Sequence, residues 1–113
     1  RKGRSGKLNR FYSTLSLCMR ARRLAYGLET VRAAALSGRV CLLLTASDLS
    51  AKTAKEVDYL SRTRRIPLLP LELNMDGVAR TIGRRTGVIG ITDPGFGTKL
   101  MQTYHETEEK LCR

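Results

Sequence analysis

The residues best placed to do chemistry lie between Arg22 and Val40, in "RRLAYGLETVRAAALSGRV". A helix is predicted from about Leu28 to Ser37, because Val31, Ala34 and Ala35 are small apolar side chains at helical spacing. Gly27 stands at its mouth and Gly38 closes it. A helix N-terminus presents unpaired N–H groups and a partial positive charge. A glycine there lets backbone approach a ligand with no Cβ in the way. Arg22 and Arg23 precede the mouth and Arg32 lies one turn in. The chemistry expected is capture of a phosphate backbone, with Glu29 and Thr30 able to hydrogen-bond base edges. The plainer alternative is a helix that packs on a sheet with its arginines facing water.

Other groups carry less. His105 lies in the polar stretch "YHETEE", with no Ser or Cys nucleophile and no metal partner nearby in sequence, and reads as a solvated side chain. Asp48 and Asp93 follow apolar runs, where α/β sites often sit, but each also suits an ordinary cap or turn. "GRRTG" and "DPGFG" are bracketed by glycine, yet neither has the Lys-Ser/Thr ending of a P-loop or the full GxGxxG spacing. Cys18, Cys41 and Cys112 are far apart with no CxxC, which argues against a zinc site and for small buried hydrophobes. No enzyme activity, cofactor, metal or small-molecule substrate is expected.

Charge points to the partner. The chain has 113 residues and a formal net charge of +11. Positions 1–23 hold eight Lys/Arg and no acid, whereas Glu106, Glu108 and Glu109 crowd the other end. Clustered arginine on a basic domain is the electrostatic footprint of nucleic-acid binding, and its planar fork suits phosphates and guanine edges. Solubility charge and attraction to an anionic membrane are the rival readings. The longest apolar run, Val40 to Leu44, is far too short to span a bilayer, and the basic start is not followed by an apolar segment and cleavage site. A membrane partner and a signal peptide are therefore not expected, and a cytoplasmic location is.

The elements that must position these groups alternate. "RKGRSGK" at 1–7 reads as a flexible basic arm. Asn9 can cap a first helix bearing Phe11, Leu15, Cys18 and Met19 on one face. Leu24 to Tyr26 is a short extended piece. "VCLLLTA" at 40–46 is apolar without alternation, as in a strand covered on both faces. Ser50 caps the next helix, with Ala54, Val57 and Leu60 as its buried stripe. "RRIPLLPLEL" contains a strand whose prolines suit an edge. A short helix from Asp76 to Ile82, the loop "GRRTG", the strand "VIGIT" at 88–92 and a helix capped by Asp93 complete the order. Phe96, Leu100, Tyr104 and Leu111 form the last helix's inward stripe. The expected fold is α/β: one domain, 8–104, a three-layer α-β-α sandwich around a small mixed sheet of about four strands, ending in a polar helix end at 105–113.

Several motifs share one order and spacing: "MRARRL…G", "ETV…SG", "LLLTASDLS…T", "IP" and "ITDPGF". From about Leu8 to Met101 the chain resembles the bacterial YlxQ branch of the ribosomal-protein superfamily that includes archaeal L-seven-Ae and L-thirty-e. The resemblance implies an α-β-α sandwich that binds RNA, typically a kink-turn, a sharply bent duplex with a bulge and tandem sheared G·A pairs. The family's helix mouth reads Gly, any residue, Asn or Lys, Glu or Gln, any two residues, then Lys. Here it is "GLETVRA". Gly27 matches. Glu29 and Thr30 replace the usual pair, as in the bacterial branch, and Ala33 replaces the lysine in a departure from both branches. Asp48 matches the family's acidic residue after the strand. "GRRTG" stands where relatives cover the bulged nucleotides with a more apolar loop.

The resemblance thus implies an RNA face of Gly27, Leu28, Glu29, Thr30, Arg32, Ala33 and Asp48, with Arg84, Arg85 and Thr86 in the adjoining loop. Arg22 and Arg23 belong to it by their place in sequence. Glu29 can accept from a base amino group but cannot donate to guanine O6 or N7, and Arg32, three residues on, can partly neutralise it. The partner expected is ribosomal or other structured RNA, with association with the ribosome or translation, for a monomer. The alternative is a protein-interaction module of the same fold that has lost specific kink-turn binding.

Overall fold

The computed structural model describes the backbone of residues 2–112 and the side chains of residues 10–104. The order is α1 (Lys2–Arg20), β1 (Leu24–Tyr26), α2 (Leu28–Leu36), β2 (Leu42–Thr45), α3 (Ala51–Arg64), β3 (Leu68–Pro70), α4 (Met75–Ile82), β4 (Val88–Ile91) and α5 (Pro94–Cys112). The four strands form one sheet in the order β1-β4-β2-β3. β2 and β3 are parallel, and β4 runs antiparallel to both β1 and β2. The expected mixed four-stranded sheet between helical layers is what forms.

The pleat sends successive side chains to opposite faces. Leu42 and Leu44 of β2, with Ile89 and Ile91 of β4, join Phe11, Leu15, Val78, Ile82 and Leu100 in the core beneath α1, α4 and α5. Leu43 and Val88 face the other way, onto Val31, Ala34, Ala35, Val57 and Leu60 of α2 and α3. That is why "VCLLLTA" lacks alternation: both faces of β2 are covered. A Cβ added at Gly90 would stand 3.1 Å from Val31 Cγ1 and 3.2 Å from Val40 Cγ2, so the missing side chain is what lets α2 sit close on the sheet. β3, with Pro67 and Pro70, is an edge strand as its prolines require.

Three local expectations are corrected. Helix α1 starts at Lys2, so Asn9 lies within it and caps nothing, and the backbone of 2–7 continues the helix. No proline interrupts that run, and its lysines and arginines are good helix formers. Ala54 is exposed, so the stripe of α3 is Val57 and Leu60 alone. The strand expected through Thr92 ends at Ile91. The side chains of Leu111, His105 and Cys112 and the acidic cluster at 106–109 lie outside the described residues.

Candidate nucleic-acid interface

Because β1, β2 and β3 run one way and β4 the other, the exits of the first three strands and the entry to β4 share one end of the sheet. In open α/β sheets ligands bind at the carboxyl ends of the strands. Here that end carries the α2 mouth, the turn after β2 with Asp48, the start of α4, and the loop 83–87.

The mouth is built on Gly27, whose φ of 90° and ψ of 138° lie where only glycine is comfortable. No side chain caps α2. The caps of the next three helices are filled: Ser50 accepts from the Thr53 N–H, Asn74 from the Gly77 N–H and Asp93 from the Phe96 N–H. The first intrahelical bond of α2 runs from the Val31 N–H to the Gly27 carbonyl, 2.9 Å. The N–H groups of Leu28, Glu29 and Thr30 therefore have no partner within the helix. Space is open where a Cβ on Gly27 would point. The mouth keeps the donors and the access that anion capture needs.

The loop 83–87 is fastened to this mouth. The Gly27 N–H donates to the Val88 carbonyl at 3.0 Å and to the Thr86 hydroxyl at 3.1 Å. The same hydroxyl donates to the Val88 carbonyl and accepts from the Val88 N–H. Thr86 is 7% exposed, so it positions the loop and offers nothing to a ligand. Asp48 has a similar part: its Oδ1 accepts from the Met75 N–H at 2.9 Å and holds the start of α4. The Ala46 N–H donates to Gly87 and the Ser47 N–H to Leu73, which closes the lacing.

The arginines differ in what they do. Arg85 donates from Nε to Asp76 Oδ1 at 2.9 Å, both side chains being well exposed. Arg84 is exposed and makes no ion pair or side-chain hydrogen bond among the described residues. Arg32 turns to α3, 3.3 Å from Glu56, and stands 3.7 Å from Glu29. The neutralisation of Glu29 expected from spacing is therefore present but shared with a second acid. Glu29, 91% exposed, Thr30 and Ala33 line the open face of α2, and Leu28 is half-buried against the α2–α3 core.

Arg22 and Arg23 are not at the mouth. β1 intervenes, and at about 3.3 Å per residue the chain from Arg23 to Gly27 spans roughly 13 Å. Leu24 pairs with Ile91 and Tyr26 with Ile89, so the two arginines sit at the opposite end of the sheet. There the Arg23 carbonyl accepts from the Thr92 N–H, and Arg22 takes the left-handed conformation, φ 58°, that ends α1. Sequence proximity misplaced them because an extended strand separates its flanks. Sequence reasoning also missed Lys52, exposed in the first turn of α3 at the mouth end, whose position is fixed by α2 and α3 both running back from that end.

Among the described residues, the thiols of Cys18 and Cys41 are free and are held toward their protonated form. Cys18 is buried and its Sγ–H donates to the Arg23 carbonyl; burial, then the nearby Asp93, pushes its pKa up to about 12. Burial also raises Cys41, whose Sγ–H donates to the Ile91 carbonyl. No group of three or more His, Cys, Asp or Glu able to hold a metal occurs among the described residues. No helix among them is long and apolar enough to cross a membrane.

A curated protein, the RNA-binding protein YlxQ of Bacillus subtilis, is 30% identical over 92 residues, which is 80% of this chain and 91% of that protein. The chain belongs to the YlxQ family. No family model matches it. Among solved structures, a Bacillus halodurans protein of unknown function superposes on this YlxQ-family chain with a TM-score of 0.80 at 33% identity, covering 84% of this chain and 96% of that one. A 15.5 kD RNA-binding protein of Giardia lamblia superposes with a TM-score of 0.71 at 12% identity, covering 96% and 91%. At that identity the likeness is one of fold. It places the YlxQ family in the same α-β-α architecture.

Proposed function

We propose that this chain binds structured RNA, a kink-turn or a related bend, through the α2 mouth and the loop 83–87. The observation that carries the reading is the uncapped N-terminus of α2 held by Gly27 and Thr86 against a loop that presents Arg84. The names of the relatives support RNA as the partner. In this reading the N–H groups of Leu28, Glu29 and Thr30 meet phosphate or a base edge. The Glu29 carboxylate accepts from an exocyclic amino group, and the guanidinium of Arg84 clamps a phosphate or stacks on an unpaired base. Residues 8–104 are the binding domain, and the basic segment 1–7 adds attraction without sequence preference. The protein acts as a monomer in the cytoplasm, associated with the ribosome or translation, and without catalysis.

A second reading, a protein-interaction module of the same fold, is favoured by one feature. Arg32 is occupied by Glu29 and Glu56, and Ala33 adds no charge, so the first turns of α2 offer RNA little net positive charge. Salt separates the two, because phosphate contacts weaken steeply with ionic strength and an apolar interface does not. The test is titration of the protein into a labelled kink-turn RNA and a matched duplex with the G·A pairs made Watson–Crick, at two salt concentrations. Preference for the bent RNA that survives the higher salt supports the first reading. Equal affinity that collapses with salt overturns it.

A further inference from the structure

Running back from the mouth, α2 and α3 flank a surface groove of about 710 Å³ that begins beside Leu28 and ends beside Arg64. Its chemistry is mixed in a particular way. Tyr59 stands 69% exposed on one wall and Leu36 51% exposed on the other. The acid in the groove, Glu56, is paired with Arg32 at 3.3 Å. Two cations, Lys55 and Arg64, make no ion pair or side-chain hydrogen bond among the described residues. An exposed aromatic face between unpaired cations, with no unpaired acid, is the arrangement on which single-stranded nucleic acid lies: bases stack on the ring while the cations follow the backbone.

We propose that this groove is a second nucleic-acid site, a platform for a single strand. Tyr59 stacks a base, and Lys55 and Arg64 neutralise the phosphates on either side. Charge complementarity selects a polyanion over an apolar helix, which would leave both cations facing an uncharged ligand. The groove shares Leu28 with the α2 mouth. On the reading of the previous subsection, the occupant is therefore an unpaired strand continuing from the RNA held there.

The chain contains no tryptophan, so Tyr59→Trp puts a single indole reporter in the groove of this 113-residue chain. The probe is a twelve-residue oligouridylate, with polyphosphate as a base-free control and an acidic leucine-rich peptide as the rival occupant. The expected result is saturable quenching by the oligouridylate alone. Lys55→Ala with Arg64→Ala should weaken that binding about tenfold and flatten its salt dependence by roughly two phosphates. In the native background, Tyr59→Ala should abolish the gain in affinity that a single-stranded extension gives a kink-turn RNA and leave the blunt RNA unaffected. Absence of quenching, equal binding of polyphosphate, or quenching by the peptide in place of RNA overturns the proposal. Failure of the blunt kink-turn RNA to bind while oligouridylate still quenches overturns the mouth reading and leaves the groove standing.

Discussion

The backbone N–H of Gly27 donates to the hydroxyl of Thr86 across 59 positions of sequence, at 3.1 Å. Through that bond the start of α2 and the basic loop before β4 form one surface. Neither residue has a side chain that reaches a ligand, and yet together they set where Arg84 stands relative to the open end of the helix.

Thr86→Val keeps the shape of the side chain and removes the hydroxyl. The Gly27 N–H retains the Val88 carbonyl, so the loss of stability should be modest, about 1–2 kcal/mol by urea unfolding. Affinity for a bent RNA should fall with the salt dependence unchanged, since no charge is lost. A steeper or shallower salt slope in the variant would mean that Thr86 does more than position the loop.

Arg84 and Arg85 are neighbours with different duties. Arg85 is engaged by Asp76, so Arg84→Ala should cost more RNA affinity than Arg85→Ala and should lower the salt slope by about one. The double change should weaken binding to a specific RNA more than deletion of residues 1–7 does. Equal losses would reduce the loop to charge attraction. Because an exposed ion pair contributes little, about 0–1 kcal/mol, neither change should matter to folding.

Ala33 lies one turn beyond Glu29 on the open face of α2. Ala33→Lys should tighten kink-turn binding by about 1–3 kcal/mol if the new ammonium meets a base edge. Titration of both proteins against the same RNA measures this. Unchanged or weaker binding would show that α2 approaches RNA in a different orientation from that implied by the family pattern.

Cys18 gives the fold a pH dependence of known sign. Its pKa rises from 9.0 unfolded to about 12 folded, chiefly through burial. The stability tied to its protonated thiol is thus fully present below about pH 9. It is lost as pH rises from there toward 12, because the unfolded thiol ionises first. Unfolding free energy should fall across that window in the native protein, and the fall should be shallower in Cys18→Ala. Identical slopes would place Cys18 in a wetter site than the structure gives it.

Much of the fold was legible because its signals are local. The apolar run around Leu42–Leu44 announced a strand covered on both faces, Ser50 and Asp93 announced helix starts, and Pro67 and Pro70 announced an edge. The start of α1 was hidden because glycine and serine in "RKGRSGK" suggest a coil while that segment holds no proline to enforce one. The site was legible in part. The glycine at the mouth and the basic loop could be read as candidates, since the mouth rests on rules for helix ends. The partner of Arg32 could not be read, because Glu56 lies on another helix, 24 positions away. Arg22 and Arg23 were misplaced for the same kind of reason: neighbours in sequence become opposites in space once a strand runs between them.

β1 touches the sheet only through β4, which lies second in the sheet but last among the strands in the chain. During synthesis, then, the segment leading into the α2 mouth emerges early and waits without a hydrogen-bonding neighbour until residues 88–91 have followed. Loop closure over such a separation is slow compared with local helix formation. A nascent chain that has made α2 but not β4 therefore has the residues of the mouth without the frame that aims them, and the surface matures in a single late event.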